Sequence, residues 1–433
     1  MLKHVKARYR QSQAMLERAE KVIPLGSQTF SKSRIQFPEG AAPLFLERGR
    51  GGRVWDVDGN EYVDLINGLC CVSLGYCDPD VDEAIKQQLG RGITFSLATR
   101  LESVLAERLV EIIPCAEAVR FGKNGSDATL GCVRVARAAT GREKIVAVGY
   151  HGWHDWYVGS TVRNKGVPKA ASENTIRVPY NDLAALEQAF LDHPDRIAGV
   201  ILEPMNAVEP KPGYLADLAA MTRRHGALVI FDEIVTGFRF ALGGAQALFG
   251  VTPDLAAFGK GLGNGMPISV LAGRADLMRE VEEVFLSATF GGECLAIAAA
   301  IAVIDKMRRE PVIEHLWRTG DDLTARVRAC IDEYGLADAI SLNGKPPWML
   351  LGFNDRSSAR GPAIKTLFLK EMLAHGVLLN ASHNISYAHT SEDIDTVVRA
   401  YKAALSRVAE ELDDGNLEAN LECPVIMPVF SVR

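Results

Sequence analysis

Lys260 sits in Asp254-Leu-Ala-Ala-Phe-Gly-Lys-Gly-Leu-Gly-Asn-Gly-Met-Pro267, just past a short apolar run and inside a cluster of glycines. Asp232 closes another apolar run, Ala227-Leu-Val-Ile-Phe-Asp232. An amine and a carboxylate delivered in this way suit pyridoxal phosphate (PLP). The lysine would hold the cofactor as a Schiff base, and the carboxylate would pair with the pyridinium nitrogen. The ring then stays electron-poor when a proton leaves the substrate α-carbon, and Lys260, once displaced, is the base that moves that proton. Each residue alone has a plainer reading: Asp232 as a strand-end acid or helix cap, Lys260 as a solvated loop lysine. Glycines on both sides of Lys260 favour the cofactor, because they let the backbone approach a bulky ligand.

Two further stretches fit the same chemistry. Asn124-Gly125-Ser126-Asp127 precedes a helical run, Ala128 to Thr140, closed by Gly141. Free N–H groups and a hydroxyl at a helix N-terminus suit a phosphate, and a simple Ser or Asp cap is the alternative. It is no P-loop, since Lys123 is not followed by Ser or Thr. Tyr150-His151-Gly152-Trp153-His154 offers rings to stack on a flat cofactor. His151 and His154 lack a third ligand at metal spacing, so no metal is expected. Thr289-Phe-Gly-Gly292 opens a helix from Cys294 to Met307, either as a second anion site or as a plain cap.

The elements that position these residues read as alternating strands and helices. Buried strands are predicted at Lys144 to Gly149, Ile197 to Glu203, Ala227 to Asp232, Leu255 to Phe258 and Ile268 to Ala272. A helix from Leu215 to His225, capped by Gly226, makes a βαβ unit, so the sheet should be mainly parallel. Ligands in such sheets sit beyond the carboxyl ends of the strands, where Tyr150-His151, Glu203, Asp232 and Lys260 all fall. A hairpin is predicted over Gly51 to Asp64 with its turn at Asp58-Gly59. The expected fold class is α/β, a large domain with a mainly parallel central sheet plus a smaller α+β domain. The boundaries read as an N-terminal segment, 1–65, packing with the small domain, a large domain, 66–310, and the small domain, 311–433. A first helix to about Val22 stops at Pro24, and the tail ends in an apolar cluster, Pro424 to Val432.

The chain has 433 residues, 48% of them hydrophobic, enough for a large core. A net charge of −6 without a basic tract argues against nucleic acid, and no run is apolar enough to span a bilayer. Eight cysteines without CxxC spacing read as reduced thiols, which implies the cytoplasm.

Taken together, the motifs resemble the class III, fold-type I PLP-dependent aminotransferases over nearly the whole chain, and among them the glutamate-1-semialdehyde 2,1-aminomutase-like proteins. The matching stretches are Val54 to Asp64, Asn124 to Ala128, Tyr150 to Gly152, Asp232 to Arg239, Gly244 to Phe258, Gly259-Lys260 with Gly265-x-Pro267, and Thr289 to Gly292. The resemblance implies that Lys260 carries the Schiff base and Asp232 meets the ring nitrogen. It places Ile234 on one ring face, Tyr150 on the other, Gly125 and Ser126 at the phosphate, and Asn206 near the ring hydroxyl. Thr289 would reach the phosphate of the neighbouring subunit, making a homodimer with shared active sites.

Departures from the aminomutase pattern concern the substrate. Lys32 stands in place of a substrate-carboxylate arginine and loses its bidentate fork. Gly292-Glu293-Cys294 replaces Gly-Asn-Pro, and Asn380 to Thr390 is shorter and lacks a glutamate. Lys32, Trp153, His154 and Asn384 are the candidates for lining the substrate pocket. The departures favour transfer from an amino donor such as glutamate to a small aldehyde or keto acceptor. The alternatives are aminomutase-type intramolecular transfer, another PLP reaction such as racemisation or decarboxylation, and a non-catalytic binding protein. The intact Lys260–Asp232 pair argues against the last.

Overall fold

A computed structural model of the chain describes residues 8–356 and 358–427. The basic start of the chain and the end of the apolar tail, Pro428 to Val432, lie outside these. The chain forms two compact units. The larger holds Gly68–Ser73 and Pro79–Ile313, and the smaller is assembled from the residues up to Asn67, Leu74–Asp78 and those from Glu314 on. Leu74–Asp78 thus belongs to the smaller unit, which a single cut near residue 65 does not provide for.

The smaller unit begins with three antiparallel strands, β1 (Leu46–Arg50), β2 (Arg53–Asp56) and β3 (Glu61–Asp64). The β2–β3 turn is the expected one. Asp56 Oδ1 accepts from the N–H groups of Asp58 and Asn60, and Gly59 takes φ of 87°. The preceding helix spans Arg10–Ala19, and Pro24 starts a separate short turn.

The larger unit carries seven strands, β4 (Ala118–Gly122), β5 (Lys144–Val148), β6 (Thr175–Arg177), β7 (Ile197–Leu202), β8 (Leu228–Asp232), β9 (Leu255–Phe258) and β10 (Ser269–Gly273). Their order across the sheet is β4-β10-β9-β8-β7-β5-β6. Only β10 runs against the rest. It pairs antiparallel with both β4 and β9, so β4 points the same way as the parallel block β6 to β9. The central strands are buried apart from Leu228 at the start of β8, which is partly buried, as expected of parallel strands covered on both faces. The helix Gly125–Thr140 lays Ala128, Cys132, Val135 and Ala136 into the same core and ends at left-handed Gly141. Each fully buried aliphatic side chain the size of valine contributes about 1.5–3 kcal/mol.

The rest of the smaller unit has β11 (Ile340–Lys345), β12 (Trp348–Phe353), β13 (Val377–Leu378) and β14 (Ser382–Asn384). Strands β11, β12 and β14 form one antiparallel sheet, while β13 joins β3 in parallel. The helices Gly361–Ala374 and Ser391–Asp413 pack on each other. No helix among the described residues is long and apolar enough to cross a membrane.

Candidate active site

Register brings the chemistry to one edge of the larger unit's sheet. Val148 of β5 pairs with Leu202 of β7, Leu202 with Phe231 of β8, and Asp232 with Ala257 of β9. The residues just beyond these positions are Tyr150-His151, Glu203, Ile234 and Lys260. Because β4 runs with them, its exit, Lys123 to Ser126, lies at the same edge.

Asp232 is 5% exposed and held by two donors. His151 Nδ1 lies 2.8 Å from its Oδ2, and the Ile234 N–H donates to its Oδ1 at 3.2 Å. His151 is 1% exposed, stacked over Trp156 and set edge-on to Tyr157. Its Nε2 has no partner among the described residues. Burial, and then the negative charge of Asp232, push the Cys132 thiol well above its ordinary value. The adjacent acid, Glu233, is committed elsewhere. It accepts from Ala245 N, Gln246 N and the Thr236 hydroxyl, and burial raises its carboxyl to about 6 against those donors.

The N-terminus of the Gly125–Thr140 helix is closed by a capping box between Asn124 and Asp127. Ser126 is buried, and its hydroxyl oxygen accepts from Trp153 N at 3.3 Å, which leaves its O–H to donate elsewhere. A Cβ on Gly152 would stand 2.2 Å from that oxygen, and Gly152 has φ of 96°. Ile234 fills the space between the two glycine motifs. Cβ atoms on Gly125 and Gly259 would lie 3.1 and 3.2 Å from its side chain. Lys260 itself takes a left-handed φ of 43°, a conformation costly for a side-chain-bearing residue and concentrated at functional sites. Glu203 is buried and turns its Oε2 to the Tyr150 N–H at 3.0 Å, fixing where Tyr150 leaves β5.

The sequence profile described as aminotransferase class-III matches residues 36–404. The chain belongs to the class-III aminotransferases. It is 36% identical to the 3-aminobutyryl-CoA aminotransferase of Cloacimonas acidaminovorans, covering 94% of this chain and 99% of that one. It is 35% identical to the glutamate-1-semialdehyde 2,1-aminomutase of Natranaerobius thermophilus, covering 93% and 100%. The FumI protein of Sphingopyxis sp. MTA144, solved in its PLP internal aldimine form, superposes with a TM-score of 0.88 at 28% identity, covering 95% and 100%. This aminotransferase is a PLP-dependent enzyme that takes an amino group from an amino donor and gives it to a carbonyl acceptor. The residues at the edge fit the cofactor. A helix N-terminus without a Cβ and with a spare hydroxyl suits a phosphate, a buried carboxylate suits a ring N–H, and a lysine stands at the adjoining strand end.

Other expected residues of the aminotransferase are placed as follows. Asn206 is buried, with its Oδ1 accepting from Val208 N at 2.8 Å. Trp153 is 69% exposed and packs edge-on against His154, whose Nε2 is 4.0 Å from Asp127 Oδ1. Thr289 is exposed. The Cys294–Arg309 helix does not offer an anion site, because the Glu293 carboxylate already accepts from Leu295 N and Ala296 N. Lys32 is exposed in the smaller unit. Asn384 is buried in the smaller unit. Its amide nitrogen donates to Leu65 O, Ile66 O and the Ser382 hydroxyl, so the side chain fastens β14 to the end of β3. Sequence reasoning missed the His151–Asp232 pair, since partners 81 residues apart carry no local signal.

Proposed function

We propose that Lys260 is the anchoring amine and proton-moving base of this aminotransferase, and that Asp232, held by His151, is the acid that fixes the cofactor's ring nitrogen. The single observation that carries this reading is the buried Asp232–His151 contact at the sheet edge where Lys260 emerges. PLP, when bound, supplies an electron sink at the substrate carbon. The chain supplies the rest. Gly125 and Ser126 bind the phosphate through N–H groups and a hydroxyl, Ile234 and Tyr150 wall the ring, and Asn206 stands near its hydroxyl. His151 keeps the Asp232 carboxylate oriented and away from water, and Lys260 accepts and returns one proton.

The donor is an amino acid such as glutamate, and the acceptor a small aldehyde or ketone. Trp153, His154 and Lys32 are the residues we assign to the substrate. The active unit is a homodimer, supported by the exposure of Thr289 in the same chain segment as Phe285 and Phe290, two large apolar side chains left open on one subunit. Eight free thiols fit the cytosol.

The test is the visible spectrum of the purified protein before and after excess L-glutamate, with 2-oxoglutarate assayed in parallel, beside Lys260→Ala. Bleaching with matching 2-oxoglutarate in the wild type, and none in the variant, supports intermolecular transfer. A coloured protein that ignores glutamate but converts glutamate-1-semialdehyde without releasing a keto acid assigns it to intramolecular transfer instead.

A further inference from the structure

The loop assigned to the phosphate is fixed from two directions. Its backbone is closed locally, with the N–H groups of Lys123 and Asn124 both donating to Asp127 Oδ2 at 3.0 and 2.7 Å. The Lys123 side chain goes elsewhere. Its Nζ meets Glu293 Oε2 at 3.0 Å, with the two side chains 16% and 12% exposed. Glu293 is itself held, because Oε1 accepts from Leu295 N at 2.7 Å and Oε2 from Ala296 N at 3.2 Å. The carboxylate is therefore locked onto the first turn of the Cys294–Arg309 helix, whose positive end favours it.

We propose that the Lys123–Glu293 ion pair is a brace for the Gly125–Ser126 loop, making both residues positioning residues for cofactor retention that do not touch the cofactor. The inference rests on the assignment of Gly125 and Ser126 to the phosphate. A largely buried ammonium cannot leave its carboxylate without stranding that charge. The loop is thus ordered before the phosphate arrives, and its ordering entropy does not oppose binding. The rival arrangement makes Lys123 a direct phosphate cation and Glu293 its competitor. The two differ in sign. Under the brace, neutralising Glu293 weakens cofactor binding; under the rival, it frees the ammonium and strengthens binding.

The experiment titrates apoprotein with PLP, followed by absorbance, for the wild type, Lys123→Met, Glu293→Gln, the double variant and Ser126→Ala. Glutamine removes the charge but keeps only one acceptor for the two helix N–H groups, so the double-variant comparison with Lys123→Met separates loss of the ion pair from loss of the cap. Each single change should raise the Kd for PLP roughly tenfold, and the double variant should be no worse than the weaker single, as for two ends of one contact. Lys123→Arg should restore the wild-type Kd, which also serves if the methionine variant folds poorly. Tighter binding in Glu293→Gln overturns the brace and assigns Lys123 to the phosphate. A Kd within about twofold of wild type in both singles, or full additivity, overturns it as well. If Ser126→Ala weakens PLP and the pair variants do not, the brace alone falls. If Ser126→Ala binds PLP as wild type does, the phosphate assignment falls and the brace with it.

Discussion

Replacing His151 by Phe probes the site most directly. The ring is 1% exposed and parallel to Trp156 within 14°, with Tyr157 edge-on at 5.4 Å between centroids. Phenylalanine keeps those contacts, so packing survives and the polar contact is lost. Asp232 is then left with one donor among the described residues, the Ile234 N–H at 3.2 Å. Losing a hydrogen bond to a buried charged group costs about 1.5–3 kcal/mol. At roughly 1.4 kcal/mol per decade, that is a fall of about 10- to 150-fold in kcat/KM. His151→Asn keeps a side-chain N–H near the position of Nδ1 and should recover most of the loss. The assay is kcat/KM for the amino donor, with the Kd for PLP and the melting temperature measured on the same samples. A phenylalanine variant within about threefold of wild type would refute the role given to His151. An asparagine variant as poor as the phenylalanine one would refute the hydrogen bond as its cause.

Three further sets of outcomes are expected. Gly152→Ala should weaken PLP binding at least about tenfold, because its Cβ meets Ser126 Oγ at 2.2 Å. Gly141→Ala, which meets nothing within 4 Å at φ of 66°, should cost only about 1 kcal/mol of stability and leave the Kd for PLP unchanged. Asn384→Ala should lower stability by about 1–3 kcal/mol in denaturant unfolding while leaving KM alone, and a raised KM at unchanged stability would assign it to the substrate. His383 is buried against the Tyr401 hydroxyl, and burial pushes its imidazole from 6.5 down to about 4. Between those values the unfolded chain binds the extra proton, so this stability is complete above about pH 6.5 and is lost as pH falls toward 4. The gap is worth about 3 kcal/mol. Unfolding midpoints of wild type and His383→Gln should therefore differ in slope over that range, and parallel curves would contradict it.

The parts of the site legible in the sequence are those that sit at the ends of buried parallel strands. Runs such as Ile197–Leu202 and Leu228–Asp232 are apolar up to their ends because both faces are covered, and the polar residue that closes or follows each one stands out. The edge strands lack that signal. Strand β4 mixes an exposed Arg120 with partly buried neighbours, and β6 has only three residues. Side-chain partnerships across long separations are also out of a sequence's reach. His151 with Asp232, Lys123 with Glu293, and Asn384 with the backbone of Leu65 and Ile66 depend on where the strands carry them. Thr289-Phe-Gly-Gly292 leaves an anion site and a plain cap both open, because an acid directly after such a motif does not announce that it will fold back as the cap.

The pairing of β13 with β3 sets an order of events during synthesis. Val63 N donates to Gly376 O and Leu65 N to Leu378 O, so a strand made early is completed by one made more than 300 residues later. At about 5–20 residues per second, β3 waits roughly 15–60 s for that partner to leave the ribosome. The core of the larger unit, Pro79–Ile313, is contiguous and can close during that interval. The N-terminal hairpin meanwhile presents the unpaired edge of β3, a template for the wrong neighbour. Chaperone dependence and inclusion-body formation should therefore rise with slow translation between Asp64 and Val377, and synonymous faster codons in that interval should reduce both.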